Sequence, residues 1–113
     1  MKIKKLERAF DRIIRDRKYE EQNQRCKFCY VKLNKEKISR DHYIPKCKGG
    51  SNDSKNIVIA CHDCNKLKDN LWPKEFWKKI ENSKEIPYIL LRAYRKINLR
   101  LEKMEKYLRR VCK

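Results

Sequence analysis

Residues 38–65 read ISRDHYIPKCKGGSNDSKNIVIACHDCN, and this stretch decides the fold. Residues 38–42 and 56–60 are the short, largely apolar or β-branched runs that are typical of strands. The connection between them holds Pro45 and both glycines of the chain among other turn-forming residues, so the two runs can pair antiparallel across a long loop. Residues 61–70 then have a helical composition. The predicted order is strand, loop, strand, helix.

Helices are predicted on both sides of this centre. Residues 2–20 carry apolar side chains at helical spacing, Pro73 suits the first turn of a helix over 73–82, and Pro87 opens a third helix over 87–111. This last helix has a heptad stripe made of Leu90, Tyr94, Ile97, Leu101, Met104, Leu108 and Val111. We predict a single domain over residues 1–113, with a core at about 24–71.

The heptad stripe needs a partner, and two partners are possible. The first helix offers a matching stripe of Ile3, Leu6, Phe10 and Ile13, which favours packing within the chain. A second copy of the last helix would bury the same residues. We therefore expect a monomer in preference to a homodimer formed through the last helix.

The composition points to a polyanionic partner. The chain has 32 Lys and Arg against 15 Asp and Glu, a formal charge of +17, which nucleic acid would neutralise with release of its counterions. An anionic membrane surface, or a basic protein without a specific partner, stays open on composition alone. Charged residues interrupt the N-terminal sequence too often for a signal peptide or a membrane span. The expected location is intracellular and cytoplasmic, with a phage or mobile-element origin left open.

Four cysteines form two C-x2-C pairs, Cys26 with Cys29 and Cys61 with Cys64. In a reducing compartment such pairs are better explained by metal than by disulfides. Four thiolates close a tetrahedral zinc site with no open position, so this zinc would be structural. An iron–sulfur cluster is the weaker alternative. Cys47 and Cys112 are expected to be free thiols.

A series of motifs keeps a fixed order through the same centre: Asp41-His42-Tyr43-Ile44-Pro45, Gly49-Gly50, Asn56 and Cys61-x-x-Cys64-Asn65-x-x-Lys68. Over about residues 24–71 this order and spacing resemble the HNH endonuclease family, in its variant with two zinc-binding cysteine pairs. The resemblance implies a small ββα-metal finger. The fold class expected for the whole chain is α+β, with this finger flanked by N-terminal and C-terminal helices.

The resemblance also implies a reaction, the hydrolysis of DNA phosphodiester bonds, with nicking and double-strand cleavage both open. His42 would be the general base, because a largely neutral imidazole can take a proton from water. Asp41 and Asn65 would hold one divalent ion, and their hard oxygen atoms favour magnesium or manganese. The products would carry a 3′-hydroxyl and a 5′-phosphate. For Asp41 and His42 to serve together, the first strand must distort or end there.

Two further residues receive supporting roles. Asn56 matches the middle position of the family motif, which holds the loop and orients the histidine. Lys68 lies one turn after Asn65 on the same helix face, close enough to approach a phosphate. The alternative function is a zinc-stabilised module that binds nucleic acid without cutting it. A hard-metal set of Asp41, His42 and Asn65 favours the nuclease, since a pure binder has no need of it.

Overall fold

Two short strands pair at the centre of the molecule. They are β1 (Ser39–His42) and β2 (Ile57–Ala60), which run antiparallel with Asp41 opposite Val58 and His42 opposite Ile57. The computed structural model describes residues 2–112, and in this part of the chain the remaining regular elements are four α-helices and three single-turn 3-10 helices. The α-helices are α1 (Lys2–Glu21), α2 (His62–Lys68), α3 (Pro73–Asn82) and α4 (Ile86–Val111). The predicted α+β class is confirmed.

The core is built around an aromatic residue of the first cysteine pair. Phe28 is fully buried between the two cysteines and β2, and its ring meets Phe76 edge-on at 5.0 Å between centroids. Trp77 lies 5.5 Å from the same ring. Phe76 and Trp77 of α3 therefore pack in the core. Trp72, which precedes α3, remains 41% exposed. With few large aliphatic residues, aromatic rings and sulfur atoms fill this small interior.

Helix α1 is attached to the sheet by its C-terminal end. The side-chain amide of Gln22 donates to the carbonyl of Ile59 and accepts from its N–H, both at 2.8 Å. It therefore satisfies the outer edge of β2 as a neighbouring strand would. Tyr19 is buried and donates to the carbonyl of Leu33 at 2.7 Å. By contrast, residues 2–10 of α1 are all exposed.

The expected packing of the α4 stripe on α1 is wrong. Phe10 of α1 is 63% exposed, and Leu101 in the middle of the α4 stripe is 46% exposed. The reason is that α4 turns a different face toward the body of the protein. Leu91 is buried there, followed along the helix by the polar residues Arg95 and Asn98, which bind backbone carbonyls. Periodicity identified an apolar face correctly but not the face that the fold uses.

None of the helices within residues 2–112 combines the length and the apolar character that crossing a membrane requires.

Candidate active site

The four paired cysteines converge on one point. The Sγ atoms of Cys26, Cys29, Cys61 and Cys64 all lie within 4.8 Å of one another, and those of Cys29 and Cys61 are 3.7 Å apart. Sulfur atoms around a tetrahedral zinc with bonds of about 2.3 Å would be about 3.8 Å apart, whereas a disulfide needs about 2.05 Å. The donor set and its spacing therefore fit a structural metal such as zinc.

Local hydrogen bonds stabilise negative charge on one sulfur of this cluster, that of Cys26. The backbone N–H groups of Phe28 and Cys61 both donate to the sulfur of Cys26 at 3.4 Å. Hydrogen bonds from the thiol of Cys29, then from those of Cys61 and Cys64, lower the pKa of Cys26. A thiolate is the form that binds metal.

Helix α4 clamps the tight turn that carries the first cysteine pair. This turn, the knuckle (residues 25–32), reverses through Tyr30, whose backbone is left-handed at φ 62°. Arg95 donates to the carbonyl of Phe28 at 2.7 Å, and Asn98 donates to that of Cys29 at 3.0 Å. The guanidinium of Arg95 also lies 4.9 Å from the centroid of the Tyr30 ring. The contacts fix the position of the cysteine pair relative to α4.

The candidate catalytic pair lies where β1 ends. His42 is the last residue of the strand and is half-buried, while Asp41, the residue before it, is buried. The strand thus ends at the point that the family resemblance required. Burial raises the pKa of Asp41, and the ammonium of Lys68 opposes that shift. Among the described residues, Oδ2 of Asp41 has no hydrogen-bond partner, although the Lys68 ammonium is 3.2 Å away. This oxygen is thus ion-paired with Lys68 without a well-aligned hydrogen bond, and a carboxylate oxygen is a ligand that a hard divalent cation accepts.

The side chain of Asn56 holds the loop formed by residues 43–55. Its Oδ1 accepts from the N–H of Ile44 at 2.8 Å, and its Nδ2 donates to the carbonyls of Ile44 and Ser51 at 3.0 and 2.9 Å. Gly50 allows this closure, because a Cβ there would lie 1.7 Å from the carbonyl oxygen of Ile44. Asn56 makes no hydrogen bond to the imidazole of His42, so any orienting effect it has passes through the loop.

The imidazole is instead held by Asn52, a residue that the sequence did not single out. Nε2 of His42 lies 2.8 Å from Oδ1 of Asn52. An amide oxygen can only accept, so Nε2 carries the hydrogen and Nδ1 keeps its lone pair. In a neutral imidazole this contact favours the tautomer that presents Nδ1 as the base. Asn52 is one of several turn-forming residues in its loop, and no spacing rule distinguishes it from the others.

Helix α2 crosses the end of β1 and brings Lys68 to the same place. The side chain of Lys68 is fully buried, and its ammonium donates to the carbonyl of His42 at 2.9 Å. With the ion pair to Asp41, these contacts direct the ammonium into the protein and favour a positioning role over the phosphate contact that its spacing suggested. Asn65 lies one turn earlier on the same helix and is half-buried.

Replacing Lys68 by methionine should destabilise the protein. The Asp41 carboxylate would stay buried without its cation, and removing one partner of a buried pair typically costs about 3–5 kcal/mol. Chemical unfolding followed by circular dichroism measures the free-energy difference. Lys66→Met is the matched control, because Lys66 lies two residues away on α2 with an exposed side chain; there we expect a change within about 0.5 kcal/mol.

A second substitution separates the ion pair from a simple packing defect. In Lys68→Met combined with Asp41→Asn, no uncompensated charge remains, so part of the lost stability should return. Equal unfolding midpoints for Lys68→Met and Lys66→Met would contradict the pairing.

Comparisons with known proteins place the centre of the chain in context. A family model described as HNH endonuclease matches residues 26–81. The CRISPR-associated endonuclease Cas9 of Corynebacterium diphtheriae is 34% identical over 59 residues, which cover 51% of this chain and 5% of that protein. The crystal structure of the Type II-C Cas9 enzyme from Actinomyces naeslundii aligns with a TM-score of 0.49 and 22% identity, over 85% of this chain and 12% of that one. The chain thus spans a small part of each relative.

Proposed function

Since residues 26–81 belong to the HNH endonuclease family, we propose that this chain is a metal-dependent endonuclease that hydrolyses phosphodiester bonds in DNA. The observation that carries the proposal is the setting of His42. Its Nε2 is engaged by Asn52 and its Nδ1 is left as a base, on the residue that follows the buried Asp41 in β1. A module that only binds nucleic acid has no use for an imidazole oriented in this way at the strand end that carries the buried Asp41–Lys68 pair.

Each residue of the site would have a separate part in the reaction. Nδ1 of His42 would take a proton from the attacking water, and Asn52 would stabilise the imidazolium that forms. Asp41 and Asn65 would hold a magnesium or manganese ion, which neutralises phosphate charge and stabilises the leaving oxygen. Lys68 would keep the Asp41 carboxylate and the His42 backbone in register. Asn56 would keep the loop closed over the site.

The surface near His42 has the charge that a DNA strand requires. The loop after His42 contributes Lys46, Lys48 and Lys55. A groove of about 370 Å³ lies next to Tyr43 and is lined by Lys18, Lys27 and Lys55, with Glu21 as its acidic member. Ammonium groups along a groove can follow a phosphate backbone without reading bases. We propose that the strand to be cut enters along this groove, in an intracellular, cytoplasmic setting where the thiols stay reduced.

Cleavage of supercoiled plasmid DNA should depend on a divalent ion and on Asp41. Magnesium or manganese should support cutting and EDTA should stop it, while Asp41→Ala should raise the metal concentration needed for half-maximal rate by about tenfold or more. Asp63→Ala is the matched control, because Asp63 is an exposed carboxylate at the start of α2. The gel also distinguishes nicked from linear product, and end labelling identifies the 3′-hydroxyl and 5′-phosphate.

Absence of cutting with every divalent ion, in a protein that still retards DNA on a gel, would refute the proposal. The zinc-stabilised binding module would then be the function.

A further inference from the structure

Helix α4 turns its apolar stripe away from the domain. The face against the knuckle carries Leu91, Arg95, Asn98, Glu102 and Glu105, and the last two pair with the buried guanidinium of Arg25 at 3.7 and 2.9 Å. Polar contacts therefore hold the helix in place. The seven residues of the heptad stripe remain 46–60% exposed: Leu90, Tyr94, Ile97, Leu101, Met104, Leu108 and Val111. We refer to these seven as the α4 stripe.

The spacing of the α4 stripe defines the shape of its partner. The residues alternate steps of four and three along the helix, which places Tyr94, Leu101 and Leu108 at one heptad position and the other four at the second. The stripe is about 30 Å long at 1.5 Å per residue. A straight seam of this period fits another α-helix, because knobs at these two positions enter holes on a facing helix. Monomers rarely leave so long an apolar surface uncovered.

Charged residues flank the α4 stripe at positions that suit a parallel pair of helices. In the heptad register, Arg100 occupies one flanking position and Glu105 the opposite flanking position five residues later. That is the spacing at which residues pair between the helices of a parallel two-stranded coiled coil. Glu105 keeps 38% of its side chain exposed in addition to its contact with Arg25. A second α4 in parallel would therefore meet Arg100 with Glu105 on both sides of the seam.

We propose that a second copy of this chain covers the α4 stripe, with the two α4 helices side by side and parallel. Burying the seven half-exposed side chains would remove on the order of 700 Å² from each copy, close to the roughly 800 Å² per partner of a standard interface. The stripe of α1 does not cover the α4 stripe within the chain, because Phe10 and its neighbours point to solvent.

Net charge sets the conditions for this dimer. Two copies of a +17 chain repel each other, and the repulsion is long-ranged at low salt. At about 1 M salt the Debye length is about 3 Å, so repulsion is screened while apolar burial persists. Association of the two copies should therefore strengthen as salt is raised. An interface held by attraction between net charges would respond in the opposite sense.

Sedimentation velocity of the full chain at low and at about 1 M sodium chloride tests the proposal. We expect the dimer dissociation constant to fall by about tenfold or more between the two conditions. Leu101→Gln with Met104→Gln should abolish the dimer, since both side chains lie at the centre of the seam. Lys96→Gln with Lys103→Gln is the matched control, because these two exposed residues lie outside the seam. Circular dichroism checks that both double variants keep their helices.

The orientation of the helices has its own readout. Cys112 is exposed at the end of α4, so spin labels on it, in a Cys47→Ser background, report the distance between the two helix ends. Parallel helices bring the labels close together, whereas antiparallel ones place them about a helix length of roughly 39 Å apart. A chain that stays monomeric at high salt, a dimer that survives the Leu101 and Met104 changes, a dimer lost in Phe10→Gln, or widely separated labels would each overturn the proposal.

Discussion

His42→Ala should abolish detectable cleavage of DNA while leaving the fold and the affinity for DNA unchanged. His42 follows Asp41 at the end of β1, and the contact of Asn52 with Nε2 leaves Nδ1 of the ring to act as the base. A positioned general base typically contributes about a hundredfold to ten-thousandfold to the rate. Loss of that factor would leave plasmid intact over hours. Initial rates on plasmid, with affinity measured separately by gel shift in EDTA, provide the comparison.

The chain supplies its own control for this experiment. Its second histidine, His62, is exposed at the start of α2, so His62→Ala makes the same change away from the site and should cut like the wild type. Free imidazole added to His42→Ala should restore part of the rate if the missing function is that of a base. Cleavage by His42→Ala at the wild-type rate would show that the catalytic assignment is wrong.

Cys64→Ser should lose zinc and with it the cooperative fold. Cys64 is 2% exposed and lies in the core beside Phe28, so the site and the core are one structure. Structural zinc contributes about 10–16 kcal/mol of apparent binding free energy in small fingers, which equals or exceeds the about 5–15 kcal/mol of net stability of a typical domain. We expect no cooperative thermal transition in the variant, and less than one zinc per chain by elemental analysis.

Cys47→Ser is the matched control, since Cys47 is exposed in the loop after β1 and lies outside the cluster. It should bind one zinc and melt with the wild type. Treating the wild type with a strong chelator should reproduce the Cys64→Ser state, and added zinc should reverse it. A Cys64→Ser protein with a full zinc equivalent and an unchanged melting temperature would contradict the assignment. Iron in place of zinc, with visible absorption, would identify an iron–sulfur cluster instead.

The centre of the fold could be predicted because its information is local and chemically specific. The C-x2-C pairs bring the four sulfur atoms of Cys26, Cys29, Cys61 and Cys64 together, as predicted. The two strands lie within a residue of the expected ranges, because a β-rich run bounded by turn residues has few alternative structures. The ends of the helices also follow the proline and polar signals in the sequence.

The partner of α4 could not be predicted, because a stripe identifies an apolar face and not the surface it meets. The bonds that decide the orientation of this helix run from Arg95 and Asn98 to the carbonyls of Phe28 and Cys29. Backbone carbonyls left free by a tight metal-binding turn require donors, and any long polar side chain can supply them. No periodic pattern in the sequence predicts these contacts.

Several other side-chain contacts could not be predicted from the sequence for the same reason. Lys68 has the spacing of a surface lysine, yet it is buried because Asp41 is buried opposite it. The side-chain amide of Asn52 contacts the His42 ring, and that of Gln22 binds the backbone of Ile59. No sequence pattern predicts either contact. Such contacts depend on which segments the fold brings together, so they become visible only in three dimensions.

The loop that contacts His42 and the core that determines overall stability should unfold as separate cooperative units. The loop formed by residues 43–55 is closed by three hydrogen bonds of the Asn56 side chain, and Tyr43 at its start is anchored to the core by Phe28 and Trp77. At about 1 kcal/mol net for each bond, we expect local opening of this loop to cost less than unfolding the whole domain. The loop would therefore open and reclose many times during one lifetime of the folded state, and Asn52 would leave His42 each time it opened. If the proposed function is right, only the fraction of folded molecules with a closed loop would be competent to cut, and loss of the Asn56 amide would lower that fraction.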